Sequence, residues 1–184
     1  MEKANASRTY TMTIAGLERT LPLCPLNERL SIAAFVIFGD VELTVAASAA
    51  LLEKAPEFDV LITAEAKGIP LVYEMARQSG KPYFIARKYP KLYMSHPISV
   101  DVRSITTDKE QTLYLDESEM AVIRGRRVLI VDDVISTGES LRALEMLVER
   151  SEGKIVGQCA ILAEGDAIDR KDIFYLEPLP LFEN

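Results

Sequence analysis

The chain has 184 residues, 48% of them hydrophobic and 27% charged, with 9 glycines and 9 prolines, a composition that can bury a core and, at this length, is read as one domain. Its 28 acidic residues against 21 basic ones leave a net charge of −7, which disfavours binding to nucleic acid or an anionic membrane and requires a local basic pocket for any anionic ligand. No apolar run approaches the roughly 20 residues of a membrane span, the opening MEKANASRTY is unlike an apolar leader, and two cysteines, Cys24 and Cys159, with one histidine, His96, are too few for a disulfide framework or the usual structural zinc site; a cytoplasmic location is expected.

Between residues 8 and 26, Tyr10, Met12 and Ile14 alternate with threonines before Pro22 and Pro25 interrupt the pattern, which reads as an edge strand or flap. Residues 41–54 are rich in alanine and leucine and read as a helix, followed by a buried strand at Val60-Leu61-Ile62. A second helix is expected over 69–79, ending before Gly80, and a second strand at Tyr83 to Ala86. The polar, turn-rich stretch 87–111 reads as a mobile loop. Beyond it come an apolar strand at Val128 to Val131, a helix carrying Leu141, Leu144 and Val148 at helical spacing, and a further strand from Ile155 to Leu162. The closing IFYLEPLPLF reads as one more strand with an apolar tail. Either terminus is suited to cover a site or a second copy of the chain. Strand and helix alternate, so an α/β fold with a mostly parallel sheet flanked by helices is expected, with ligands beyond the carboxyl ends of the strands. The loops after Ile62, Ala86 and Val131 are therefore the first candidates for a site.

The segment after Arg127, VLIVDDVISTGESL, runs an apolar strand into two carboxylates, Asp132 and Asp133, then a small-residue turn and a helix. Ser136, Thr137, Gly138, Glu139 and Ser140 would offer an anion backbone N–H groups, hydroxyls and a helix N-terminus, and Gly138 permits close approach. Carboxylates beside a bound sugar phosphate accept hydrogen bonds from vicinal hydroxyls. Any one of these features alone is also explained by an acidic strand end and a helix cap. Neither the dinucleotide glycine pattern nor the P-loop occurs.

This segment resembles the phosphoribosyl pyrophosphate (PRPP) signature of type I phosphoribosyltransferases. The resemblance spans roughly residues 35–162. It implies a hood or flap over residues 1–34, a flexible lid over 87–111, ribose contacts from Asp132 and Asp133, and a 5-phosphate loop from Ser136 to Ser140. LITAEAKGI is similar to the family's pyrophosphate loop and puts Glu65, Ala66, Lys67 and Gly68 there. IARKYPKL resembles a basic segment of adenine phosphoribosyltransferases, which adds Arg87, Lys88 and Lys91 on the pyrophosphate; alone, these three read as a solvated loop. The implied reaction moves 5-phosphoribose from PRPP to a base nitrogen with loss of pyrophosphate, through an oxocarbenium-like state. Asp132, Asp133, Lys67 and Arg87 carry the catalysis, Mg²⁺ comes with PRPP rather than from a protein metal site, and the lid excludes water. A homodimer is implied.

For the base, the resemblance is closest to the adenine enzymes. Ser136 stands where hypoxanthine-guanine enzymes usually carry an acid, and Val134 and Ile135 would border the purine. IFGDV resembles the Phe-Arg-Asp-Ile segment whose ring stacks on adenine, so Phe38 is either that ring or a core residue. Two departures are plain: Gly39 replaces the arginine, and Ser104-Ile105-Thr106-Thr107 stands where adenine enzymes carry a proton-moving glutamate. Thr106 or Thr107 would hydrogen-bond a purine but is a poor proton acceptor; Asp108 and Glu110 are near in sequence only. His96 reads as an exposed loop imidazole, Cys24 and Cys159 as packing residues, and Tyr89 and Tyr93 as ligand-stacking or lid-bracing. The alternatives are phosphoribosyltransferases for xanthine, hypoxanthine/guanine or orotate, and a regulator that binds PRPP without catalysis.

Overall fold

A computed structural model describes residues 8–103 and 110–183. The chain opens with β1 (Thr9–Ile14), β2 (Leu17–Pro25) and β3 (Leu30–Ala33), an antiparallel meander. Then α1 (Val41–Lys54), β4 (Val60–Ala64), α2 (Ile69–Ser79) and β5 (Tyr83–Ala86) follow, succeeded by β6 (Pro97–Arg103), β7 (Glu110–Asp116) and α3 (Glu117–Ile123). The last third holds β8 (Arg127–Ile135), α4 (Glu139–Arg150), β9 (Lys154–Glu164), a 3-10 turn at Gly165–Asp169, β10 (Phe174–Leu179) and β11 (Leu181–Glu183). Five strands form the central sheet in the order β10-β9-β8-β4-β5, every pair parallel.

The central strands bury both faces, as a parallel sheet with helical crossovers requires. Their period of two divides the core: Val60, Ile62, Val128 and Ile130 pack with Leu141, Leu144, Leu147 and Val148 of α4. On the other face Leu61, Leu129, Val131 and Ile161 pack with Leu43, Leu51, Leu71 and Met75 of α1 and α2. Helix boundaries follow local chemistry. Asp40 caps α1, its Oδ1 accepting from the Leu43 amide at 3.1 Å, and α2 stops at Gly80 in the left-handed conformation (φ +68°).

Two regions differ from the sequence reading. The stretch 87–111, expected as a loop throughout, contains β6 and the start of β7, which pair from Pro97↔Asp116 to Arg103↔Glu110. The period-two apolar set Ile98, Val100 and Val102 was obscured by neighbouring turn residues. In the structure Val100, Leu113 and Leu115 are buried with α4 beneath, and Arg150 on α4 donates to the Ser99 carbonyl at 3.0 Å. The C-terminal tail is the second difference: β11 pairs antiparallel with β3, giving a four-stranded hood β1-β2-β3-β11. Ile14, Leu21, Ala33, Phe35 and Leu179 join the α1/α2 side of the core, so the hood lies on the face beneath which the carboxyl ends of β8 and β9 emerge.

At the amino ends of the strands, far along β8 from the acidic pair, Arg127 is clamped by Asp59 (Nη2–Oδ1 2.9 Å) and Glu57 (Nη1–Oε2 2.7 Å). The Arg127 side chain and amide hold the Asp59 carboxyl well below the usual carboxylate range. Because the folded value is depressed, this contribution is present above about pH 4 and is lost as pH falls through the folded value. Asp59→Asn is expected to lower the melting temperature at pH 7 and to lower it by clearly less at pH 2, where part of the contribution has been lost; an equal loss at both values would overturn that assignment.

Candidate functional site

The site is built at the carboxyl ends of β4, β5, β8 and β9. β8 runs straight through the acidic pair to Ile135, so its alternation carries Asp133 inward, where it is 4% exposed. The Asp133 amide donates to Asp132 Oδ1 at 2.9 Å, and Asp133 Oδ2 is buried with no hydrogen-bond donor. Its charge is met by Lys67 Nζ at 3.5 Å. Burial, and then the neighbouring Asp133 charge, push the Asp132 carboxyl upward from its ordinary value.

After β8 the chain turns through Ser136 and Thr137 to Gly138, which is left-handed (φ +79°) and starts α4. The first N–H groups of a helix have no intrahelical acceptor and carry its positive dipole end. They border a cavity of about 250 Å³ walled by Asp132, Val134, Ile135 and the run Ser136 to Leu141, a setting for a phosphate. The five residues expected at a 5-phosphate are therefore together. Arg170, unanticipated from sequence, lies against this loop: a Cβ on Gly138 would come within 2.7 Å of its Nη1. Asp172 holds that guanidinium at 2.6 Å.

The loop after β4 packs directly on the acidic pair. Any Cβ at Gly68 would collide with the Thr63 hydroxyl and meet Asp132 Oδ1 at 3.4 Å, so only glycine lets this loop close on β8. The Glu65–Ala66 peptide bond is cis. Glu65 gathers the basic loop after β5: its Oε2 accepts from the Lys88 amide at 3.0 Å, while Lys91 Nζ and Arg87 Nη1 stand 3.6 and 3.9 Å from its Oε1. The Lys88 amide first, then the charges of Lys91 and Arg87, hold the Glu65 carboxyl below its ordinary value. Sequence reasoning put Glu65 on pyrophosphate; the geometry gives it the work of arranging cations. Lys67 thus stands beside Asp133, Arg87 and Lys91 stand beside Glu65 on the same loop, and the Lys88 side chain is exposed.

Under the hood lies a third space, open to solvent and lined by Phe35, Val36, Lys67, Asp133, Val134, Ser136, Glu164 and Leu179 among others. Val134 is in its wall as expected. Ile135 is not: it is 2% exposed and packs into the α4 side of the core. Phe38 is neither a lining residue nor core, being 52% exposed. The extended segment after β3 turns Phe35 and Ile37 inward, so the alternation leaves Phe38 outside. Glu164, which the sequence reading missed, faces this space from the end of β9; two residues beyond a buried strand run, it carried no motif signal.

The remaining candidates lie elsewhere. His96 is exposed, 3.6 Å from Glu117, and Tyr89 and Tyr93 are exposed. Cys159 is wholly buried, its thiol pushed up by burial and then by the Asp132 charge, which makes it a poor nucleophile; Cys24 is exposed on the hood. Residues 104–109, with Thr106, Thr107 and Asp108, lie outside the described residues, and Glu110 opens β7. Among the described residues there is no cluster of three or more His, Cys, Asp or Glu side chains able to hold a metal.

The phosphoribosyl transferase domain profile matches residues 42–178, three quarters of the chain and all of the loops just described. The chain belongs to the phosphoribosyl transferase family. That makes it a member of a family of pentosyltransferases. It is 33% identical over 160 residues to a hypoxanthine/guanine phosphoribosyltransferase of Methanocaldococcus vulcanius, covering 82% of this chain and 83% of that protein. It is also 30% identical over 115 residues to the purine biosynthesis transcriptional repressor PurR of Bacillus subtilis, covering 62% of this chain but only 39% of the repressor. In fold it is similar to the adenine phosphoribosyltransferase of Thermoanaerobacter pseudethanolicus, with a TM-score of 0.66 at 22% identity over 77% of this chain and 84% of that one.

Lys67 is the only one of these loop cations that touches the acidic pair. Lys67→Ala is expected to lower kcat about a hundredfold, the scale for losing one preorganised electrostatic partner of a developing charge, with melting temperature nearly unchanged because the side chain is half exposed. Wild-type turnover in the variant would show that Lys67 does not meet the leaving group.

Proposed function

We propose that this protein transfers 5-phosphoribose from PRPP to a purine, most closely in the manner of the adenine enzymes, giving a nucleoside monophosphate and pyrophosphate in purine salvage. The observation that carries this reading is that three differently charged places lie at the carboxyl ends of neighbouring strands: a helix start and a largely buried carboxylate pair on β8, and cations on the loops after β4 and β5, of which Lys67 meets Asp133. PRPP has the same order of groups. The turn from Ser136 to Ser140 takes the 5-phosphate, Asp132 and Asp133 take the ribose hydroxyls, and Lys67, Arg87, Lys88 and Lys91 face the pyrophosphate.

In the reaction the glycosidic bond to pyrophosphate breaks as positive charge grows on the sugar ring, and the base nitrogen closes on the anomeric carbon. The chain's contribution is placement and charge. The loop at Gly68 fixes Lys67 beside Asp133, and the buried carboxylates favour the cationic ring. Asp133 Oδ2, which has Lys67 as an ion-pair partner but no hydrogen bond, is a hard oxygen donor that would suit a hydrated Mg²⁺ bound chiefly through substrate phosphates. Bound in that way, Mg²⁺ supplies charge neutralisation for the departing pyrophosphate.

The adenine assignment draws on the small, exposed Ser136 at the base end and on the fold neighbours, among them the adenine enzymes of Thermoanaerobacter pseudethanolicus and Rhodothermus marinus. A hypoxanthine/guanine reading has its own support in the 33% identity over 160 residues already described. A homodimer belongs to the proposal: Val41, Val45 and Tyr73 are exposed together on the α1/α2 face beside the pyrophosphate loop, an apolar surface suited to a second copy. No helix among the described residues is long and apolar enough to cross a membrane, and the net charge of −7 fits a cytoplasmic enzyme that does not engage nucleic acid.

The test is pyrophosphate release from PRPP and Mg²⁺ with adenine, hypoxanthine, guanine, xanthine or orotate, beside PRPP titration by calorimetry. Turnover fastest with adenine is expected, and Asp132→Asn/Asp133→Asn should lose PRPP binding while staying folded. Turnover fastest with a 6-oxopurine would move the assignment to the hypoxanthine/guanine type. PRPP binding without turnover on any base would favour a regulator, and unchanged PRPP affinity in the folded double variant would remove the central assignment.

A further inference from the structure

The base end of the site contains an acidic side chain that the phosphoribosyl chemistry does not use. Glu164 is the last residue of β9 and precedes the 3-10 turn, yet its carboxylate does not cap that turn. Among the described residues it makes no hydrogen bond or ion pair. Its carboxylate therefore stands open to the space it lines, free to meet a ligand. Burial pushes its pKa upward, with Lys67 pulling the other way.

Its surroundings say which part of a ligand it meets. Val134 lies beside Leu162 in the β8–β9 register, and Glu164, two residues beyond Leu162, falls on the same face one pleat nearer the hood. Leu179 is its neighbour on β10. Glu164 lines the space under the hood with Phe35, Val36 and Val134, and with Ser136 it also lines the adjoining cavity that reaches Leu26, Leu30 and Leu181. The walls are apolar, as a flat heterocycle requires, and Glu164 stands at their edge. The other charged groups facing it are Lys67 and Asp133 across the first space and Asp166 in the second. Lys67 is ion-paired with Asp133, and its charge reaches Glu164 as well; Glu164 is the carboxylate that borders both spaces.

We propose that Glu164 reads the base, its carboxyl oxygens accepting a hydrogen bond from the purine's exocyclic amino group. An amino group donates; a carbonyl oxygen at the same ring position only accepts, so a carboxylate set against that position, rather than against the neighbouring ring N–H of a 6-oxopurine, meets it with repulsion. Glu164 thereby favours adenine over hypoxanthine. This inference rests on the phosphoribosyltransferase reading above and supplies its specificity.

The experiment measures kcat/KM for adenine and for hypoxanthine in wild type, Glu164→Ala, Glu164→Gln and Glu164→Lys, with PRPP affinity by calorimetry on each sample. Wild type should prefer adenine. Glu164→Ala should reduce the adenine-to-hypoxanthine ratio about tenfold, the scale of one hydrogen bond, and Glu164→Gln, whose amide can either accept or donate, should reduce it too by admitting the 6-oxopurine. Glu164→Lys, which offers only donors, should invert it. PRPP affinity within about twofold of wild type would show that the fold and phosphate contacts persist. A ratio unmoved in Ala and Gln variants that still bind PRPP, or a wild-type preference for hypoxanthine, would overturn the role of Glu164 and leave the transferase reading standing. A wild-type protein that neither binds PRPP nor uses a purine would remove both.

Discussion

Two carboxylates in sequence at the end of a buried strand repel each other and lose solvation, and the architecture around β8 is arranged about that constraint. Asp132 is relieved by the Asp133 amide and Asp133 by Lys67. The relief is partial, since Asp133 Oδ2 has an ion-pair partner but no hydrogen bond. Such a site is better satisfied with ligand than without, which is why the surrounding loops must come close. The glycine at position 68 is one consequence: a side chain there would displace Thr63 and press on Asp132. Gly138, left-handed at the start of α4, is another, because it turns the chain so that the helix's first N–H groups face the same place.

An overall charge of −7 would seem ill suited to a substrate that is mostly phosphate. The structure resolves this locally. Glu65, itself acidic, draws the Lys88 amide, Lys91 and Arg87 toward the Gly68 loop, so that one carboxylate orders the cations. With those side chains already positioned, less rotamer entropy is lost when an anion arrives. The exposed pairs elsewhere, such as Arg124 with Glu152, are of the solvent-screened kind that adds little to stability.

Much of the sheet was legible because its signals are local. Val60 to Ile62 and Val128 to Val131 are apolar runs that only a strand buried on both faces requires, and Gly80 stops α2 where sequence placed the stop. The turn from Ser136 to Ser140 was legible as a turn leading into a helix for the same reason: the carboxylates, hydroxyls and glycine around it are contiguous. The hairpin β6–β7 was not. Its alternating Ile98, Val100 and Val102 sit among turn residues, and its pairing partner begins beyond residue 109. β11 was equally hidden, since three residues acquire strand character only by pairing with β3 from the opposite end of the chain.

The base end was the least legible part because it is assembled from four separate stretches rather than from one motif. The segment after β3 extends with period two, and one residue of phase decides whether Phe35 or Phe38 faces inward. Sequence similarity favoured Phe38, but the hood's packing turns Phe35 and Ile37 into the core and leaves Phe38 exposed. Glu164 and Leu179 reach the same space from β9 and β10, aligned by their register, which no local pattern encodes. The turn after β8 is one contiguous run, whereas the space under the hood takes its walls from strands far apart in the sequence, so the first carries a local signal and the second exists only once the sheet and hood have assembled.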